Sequence, residues 1–236
     1  MIISHRHKYL FVELPRTGSS AIGKELILNY DAERILRNHA TYTDFLAQAS
    51  KDESGYFVFS SIRNPMDKIL SLYFKYKYDH RKYDDPAIYR RGSILIAKLM
   101  MSQYRFVKES DASFPEFFKR FYHLPYDDWS SLDHNRMDFI IRFERLSEDF
   151  EAVLHRIGLT PVRSLPITNK TANRSKDFWS YYDADIRDRA AWIFGPYFRR
   201  WGYEFPEDWS VRGSLSSELT FRFINVFRKL YWRYLR

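Results

Sequence analysis

The chain has 236 residues, no cysteine and a formal charge of +8, from 38 Lys and Arg against 30 Asp and Glu. That length suits one α/β domain, and the lack of thiols excludes disulfides and Cys-ligated zinc. The basic excess favours anionic partners (nucleotides, acidic or sulfated glycans, nucleic acid, anionic lipid) without choosing among them.

The apolar run Tyr9-Leu10-Phe11-Val12 leads into Leu14-Pro15-Arg16-Thr17-Gly18-Ser19-Ser20, and a helical pattern follows at once. This predicts a buried strand, a tight turn and a helix N-terminus. Such a turn gathers free backbone N–H groups, the positive end of a helix dipole, hydroxyls and one arginine, which together suit a phosphate-like anion. A short apolar segment, Ile35-Leu36, ends in Asn38-His39-Ala40, and Thr41 with Asp44 makes a capping box for a helix through Ala49. Tyr56 to Ser60 predicts a second buried strand that delivers Arg63-Asn64-Pro65, and Pro65 suits the first position of a helix to about Tyr78.

Residues 79–135 are the least regular part, with helical patches at Ile94–Met101 and Phe114–Tyr122. Phe139 to Phe143 predicts a further strand, and Leu146 to Ile157 its helix, closed by Gly158. A polar loop from Thr168 to Lys176, a helix over Ile186–Phe198 and a basic aromatic tail, Leu219–Arg236, complete the chain. Strands alternating with helices predict a mostly parallel sheet with helices on both faces. Ligands of such sheets bind beyond the C-terminal strand ends, where the loops at 15–20, 38–41 and 61–65 are expected. The expected organisation is one domain over residues 1–212, with 79–135 its variable part, followed by a helix over 213–236.

Two readings compete for the first loop. The stretch from Gly18 to Glu25 nearly matches the Walker A pattern, with Gly23 and Lys24 in register. Its last position must offer magnesium a hydroxyl, however, and holds Glu25. An ATP-dependent P-loop kinase is therefore the alternative. In the other reading, Pro15-Arg16-Thr17-Gly18-Ser19-Ser20 resembles the 5′-phosphosulfate loop of sulfotransferases that use 3′-phosphoadenosine 5′-phosphosulfate (PAPS). Phe59-Ser60-Ser61-Ile62-Arg63-Asn64-Pro65 through Tyr73 resembles that family's 3′-phosphate segment, in which a strand-end arginine is followed eight residues later by a serine, here Ser71. Ile141-Arg142-Phe143-Glu144-Arg145-Leu146 with Asp149-Phe150 resembles a later family segment, and Trp201-Gly202-Tyr203 its closing Gly-Tyr motif. The resemblance covers about residues 8–206 and is nearest to the carbohydrate branch.

The resemblance implies a P-loop NTPase-like α/β architecture and transfer of the sulfuryl group from PAPS to an acceptor hydroxyl, expected on a carbohydrate. It implies PAP as product and no metal. Arg16, Thr17, Gly18, Ser19 and Ser20 would wrap the phosphosulfate, with Arg16 standing where most members have lysine. Arg63 and Ser71 would hold the 3′-phosphate. Lys170 and Thr171 fall where relatives cover the nucleotide with a loop. His39 is the candidate general base, because a neutral imidazole suits proton removal from a hydroxyl. Glu13 and Glu144 are rival bases.

The seven histidines show no metal-ligand spacing, and no metal site is expected. No secretion signal or bilayer-length apolar run is visible, which predicts a cytoplasmic protein, soluble or peripheral. The sequons at Asn169 and Asn173 then read as chance. The stretch from Tyr73 to Tyr83 interleaves aromatics with cations and suits sugar rings, single-stranded nucleic acid or a solvated helix end. The high aromatic content, 19%, is expected to leave many Tyr and Trp at the surface or in a groove. The tail places Phe223, Ile224, Phe227, Leu230, Tyr231 and Tyr234 on one face among cations. It fits an interfacial helix on anionic lipid, or equally a helix packed on the domain or a partner. A non-catalytic nucleic-acid or lipid-binding protein is the third alternative. Two phosphate segments in proper order weigh against it, and no nucleic-acid partner is expected.

Overall fold

The computed structural model describes residues 1–37, 39–79, 82, 83, 85, 94–128, 133–166, 175, 177–209 and 213–234. They form two compact units, Met1–Asn64 with Asp128–Lys170, and Pro65–Asp127 with Thr171–Arg236. Among the described residues the strands are β1 (Ile2–Ser4), β2 (Tyr9–Val12), β3 (Glu33–Arg34), β4 (Phe57–Ile62) and β5 (Phe139–Arg142). The α-helices are α1 (Ser19–Asn29), α2 (Tyr42–Leu46), α3 (Pro65–Lys77), α4 (Ile94–Glu109), α5 (Phe114–Phe121), α6 (Leu146–Arg156), α7 (Arg187–Trp201) and α8 (Leu215–Tyr234).

The first unit holds the sheet, in the order β3-β1-β2-β4-β5. β2 pairs parallel with β4, and β4 with β5, whereas β1 is antiparallel to both β2 and β3. The sheet is therefore mixed, with two parallel and two antiparallel pairings. Ile2-Ile3-Ser4 is too short an apolar run to declare a strand. It becomes one by folding back on β2, with Ile2 opposite Phe11 and Ser4 opposite Tyr9. Because β1 alone runs against the others, the C-terminal ends of β2, β3, β4 and β5 share one edge.

Side chains alternate across this sheet with period two. Ile2, Tyr9, Phe11, Phe59 and Ile141 face Ile22 and Leu26 of α1 and Phe150 and Val153 of α6. Ile3, Leu10, Val12 and Val58 face the other way, onto Tyr42 and Phe45 of α2. The capping box at Thr41 and Asp44 is present, and α2 is a single short turn that stops before Ala47.

The second unit is helical among its described residues. Its core joins Met66, Ile69 and Leu70 of α3 to Phe117 and Phe118 of α5 and to Ile193, Phe194 and Phe198 of α7. Among the described residues, much of the aromatic surplus is buried here. Tyr73, Tyr76, Tyr83, Tyr182 and Tyr197 are all at most 3% exposed. Burial of tyrosine requires a partner for the hydroxyl. Tyr73 donates to the Ala112 carbonyl at 2.9 Å, and Tyr182 to that of Met66 at 3.0 Å. The aromatics of the 73–83 stretch therefore belong to a core, with Tyr78 exposed and His80 and Arg81 outside the described residues.

Candidate functional site

The loop after β2 turns on two left-handed residues, Arg16 at φ 64° and Gly18 at φ 81°. Its buried hydroxyls point inward. Thr17 Oγ1 and Ser19 Oγ both donate to the Leu14 carbonyl, at 2.8 and 2.9 Å. With the hydroxyls bracing the turn, the backbone carries the anion-seeking groups. The N–H groups of residues 16–20 meet no acceptor among the described residues, whereas Ala21 N–H already bonds the Gly18 carbonyl at 2.9 Å. These donors stand at the positive end of α1. Arg16 is half-buried and has no hydrogen-bond or ion-pair partner among the described residues. Ser20 is exposed in the first turn.

Gly18 is required twice over. Its φ is unfavourable for L side chains, and an added Cβ would stand 2.9 Å from Leu146 Cδ2 and 3.3 Å from Phe143 Cδ2. Gly18→Ala is expected to destabilise the protein by about 1–2 kcal/mol through backbone strain alone. Urea unfolding checks this, and an unchanged midpoint counts against the tight turn.

The loop after β4 is tied to the first. Ser60 Oγ donates to the Val12 carbonyl at 2.6 Å, and Ser61 Oγ lies 2.7 Å from Thr17 Oγ1. Arg63 is 8% exposed, and its guanidinium lies 4.0 Å above the Phe143 ring. The next residue, Asn64, donates its N–H to Glu144 Oε1 at 2.6 Å. The segment after β5 thus braces both loops: Phe143 and Leu146 lie against Gly18, Phe143 supports Arg63, and Glu144 holds Asn64. Asp149 closes the brace by accepting the Arg142 N–H at 2.7 Å. Glu144 Oε1 is thus engaged by the loop after β4. Phe143 escaped the sequence reading as a site residue, although the Arg-Phe-Glu motif was its signal.

His39 sits at φ 61° in the segment after β3, with Nδ1 3.1 Å from the Glu13 carbonyl oxygen. A carbonyl only accepts, so Nδ1 carries the proton in the neutral ring and Nε2 is the basic nitrogen. Glu13 itself is committed elsewhere. Its carboxylate meets the Met1 amino group at 2.7 Å and Arg34 Nη2 at 3.2 Å. Burial pushes its pKa up, but Arg34 and the amino group outweigh this and hold it below the ordinary value. A lowered folded pKa adds stability that is full above the unfolded carboxyl value and lost as pH falls through the folded one. Glu13→Gln is expected to lower the melting temperature at neutral pH and to flatten the decline below about pH 4.3, the ordinary Glu value. Identical acid limbs in both proteins would dismiss the pairing.

The Walker A alternative does not survive. Gly23 and Lys24 lie inside α1, Lys24 is exposed, and Glu25 is buried. Arg163 grips Glu25, with Nη2 at 2.8 Å and Nε at 3.1 Å, and holds its carboxyl below the usual range. Gly23 serves packing, since a Cβ there would stand 2.5 Å from Ile2 Cδ1. Ser71 is buried in α3, in the second unit, and Lys170 and Thr171 lie outside the described residues. An open pocket of about 380 Å³ among Tyr42, Tyr56, Phe57, Arg136 and Asp138 lies at the start of β4, away from these loops. Among the described residues, no group of three or more His, Asp or Glu is arranged to hold a metal.

The sulfotransferase family model matches residues 1–203. Carbohydrate sulfotransferase 14 of Mus musculus is 24% identical over 184 residues, covering 68% of this chain and 47% of that protein. The chain thus spans about half the length of that relative. No solved structure matches. With the family match covering the sheet, both braced loops and most of the helical unit, the chain belongs to the sulfotransferase family.

Proposed function

We propose that this protein transfers a sulfuryl group from PAPS to an acceptor hydroxyl on a carbohydrate. The observation that carries this reading is the pairing of two anion-seeking loops at the ends of adjacent parallel strands, locked by Thr17 and Ser61. Arg16 and the N–H groups of residues 16–20 would hold the 5′-phosphosulfate, and Arg63 the 3′-phosphate. Ser71 enters from the sequence motif alone, and Lys170 and Thr171 from the position of their loop in the family. The donor set fits a doubly anionic nucleotide: a dipole-aligned row of amides for one end and a rigid guanidinium for the other.

PAPS, when bound, supplies an activated sulfuryl group. The protein's part is to hold its donors where negative charge grows as that group departs, which lowers the barrier more than it stabilises the ground state. Arg16 acts there as a fixed charge, since a guanidinium gives up no proton near neutral pH. His39 Nε2 takes the proton from the attacking hydroxyl, while its Nδ1–H stays on the Glu13 carbonyl. The carbohydrate acceptor rests on the named relative and on the formal charge of +8, which suits an acidic glycan.

The test is transfer of ³⁵S from labelled PAPS to a panel of neutral and uronic-acid polysaccharides, with EDTA present throughout. Label is expected in a polysaccharide fraction and is expected to be lost with Arg16→Ala. Absence of transfer to every acceptor, or a requirement for a divalent cation, counts against the reading.

A further inference from the structure

Helix α8 is packed inside out. Its inward face is largely polar: Ser217 and Asn225 are buried beside Phe221. Ser217 donates to the Trp192 carbonyl, Asn225 Nδ2 to Asp127 Oδ2 at 2.6 Å, and Arg228 Nη1 to Asn225 Oδ1 at 3.1 Å. This network fixes the helix about its own axis. The outward face is apolar instead. Leu219, Phe223, Val226, Phe227, Leu230 and Tyr234 are each between 51% and 70% exposed. At helical spacing they fill one arc of about 100° along the whole element. Ile224 and Tyr231, expected on the apolar face from sequence, are only half-exposed, and Leu219 and Val226 take their place.

Charge borders this stripe. Arg222, Lys229 and Arg233 are exposed along one edge, and no acid follows Glu218 in the chain. Arg222 shares Glu218 with Arg199. Lys229 and Arg233 have no ion-pair partner among the described residues. A second copy laid on this face would bring more cations, and the one acid of α8, Glu218, is already shared by Arg199 and Arg222. An anionic lipid surface accepts both features at once, with apolar side chains entering the acyl boundary and cations meeting headgroups. No described helix is long and apolar enough to cross a bilayer, so α8 would lie in the interface plane.

We propose that α8 seats this protein on anionic membranes through the Leu219–Tyr234 face. The test is flotation of the full chain with vesicles of phosphatidylcholine alone or with 30% phosphatidylglycerol added (about 30%, enough to set a negative surface). Wild type is expected to float with the anionic vesicles and to release as salt rises. The combined Phe223→Ser, Phe227→Ser and Leu230→Ser variant is expected to bind at least about tenfold more weakly at an unchanged melting temperature. Lys229→Gln with Arg233→Gln is expected to lose about tenfold of the preference for anionic vesicles. Wild type that fails to float overturns the proposal, as does serine-variant binding at wild-type strength. A wild-type dimer that the serine variant converts to monomer would also overturn it, assigning the face to a second copy. Flotation needs no nucleotide, so its failure is separate from any failure of the transfer reaction.

Discussion

Arg63→Ala is expected to abolish the rise in melting temperature that PAP gives the wild-type protein in EDTA. A ligand at a hundred times its dissociation constant stabilises the folded state by about 2.7 kcal/mol. For a chain of this size that is about 5–10 °C. Hydrogen bonds to charged groups contribute about 1.5–3 kcal/mol each, so losing a two-pronged grip on a phosphate weakens PAP by about 10²–10⁴-fold. At the same ligand concentration almost no shift then remains. The ligand-free variant also melts lower, because the guanidinium leaves the Phe143 ring, a contact worth about 0.5–2 kcal/mol. The shift on adding PAP, rather than the melting temperature itself, is therefore the quantity to compare. Arg63→Lys keeps charge without the fork and should fall between the two. Arg16→Ala should reduce the PAP shift less, because PAP lacks the sulfuryl group that Arg16 is proposed to face. A wild-type shift in Arg63→Ala would remove the 3′-phosphate from this loop.

The legible parts of this protein were those in which one short segment carries its own signal. Tyr9–Val12 with the Arg16–Ser20 turn, Phe57–Ile62 with Arg63, and Phe139–Arg142 with its following helix each pair an apolar run with a sharp boundary. Their parallel pairing followed. β1 was not legible, since three residues become a strand only when a neighbour supplies hydrogen bonds. The aromatic stretch from Tyr73 misled because alternating cations suggest a surface, yet helical spacing turns Tyr73 and Tyr76 into a core while Lys77 remains at its margin. In the site, residue types were readable but not their division of labour. The sequence could not say that the Thr17 and Ser19 hydroxyls are spent on Leu14, leaving the amides for a ligand. Nor could it say that Glu144 is a brace, because its partner lies eighty residues away in the chain.

His39→Asn is expected to cut transfer by about 10²–10⁴-fold, or about 3–5 kcal/mol of barrier, while leaving the PAP shift intact. Asparagine is the informative replacement because of the backbone. At φ 61° an alanine adds left-handed strain, whereas asparagine is several-fold enriched in that region. Its side-chain amide can also donate to the Glu13 carbonyl, as Nδ1–H does in the histidine. The variant therefore keeps the turn and its hydrogen bond and removes only the basic nitrogen. Were His39 a scaffold alone, asparagine would restore function. The wild-type rate should fall on acidification as the imidazole takes up a proton, and the residual rate of the variant should lack that limb. Glu13→Gln supplies the contrast. It alters the carboxylate that pairs with Arg34 but not the backbone carbonyl that orients His39, so the limb should persist there. Turnover of His39→Asn within threefold of wild type, about 0.7 kcal/mol of barrier, would pass the proton to another group.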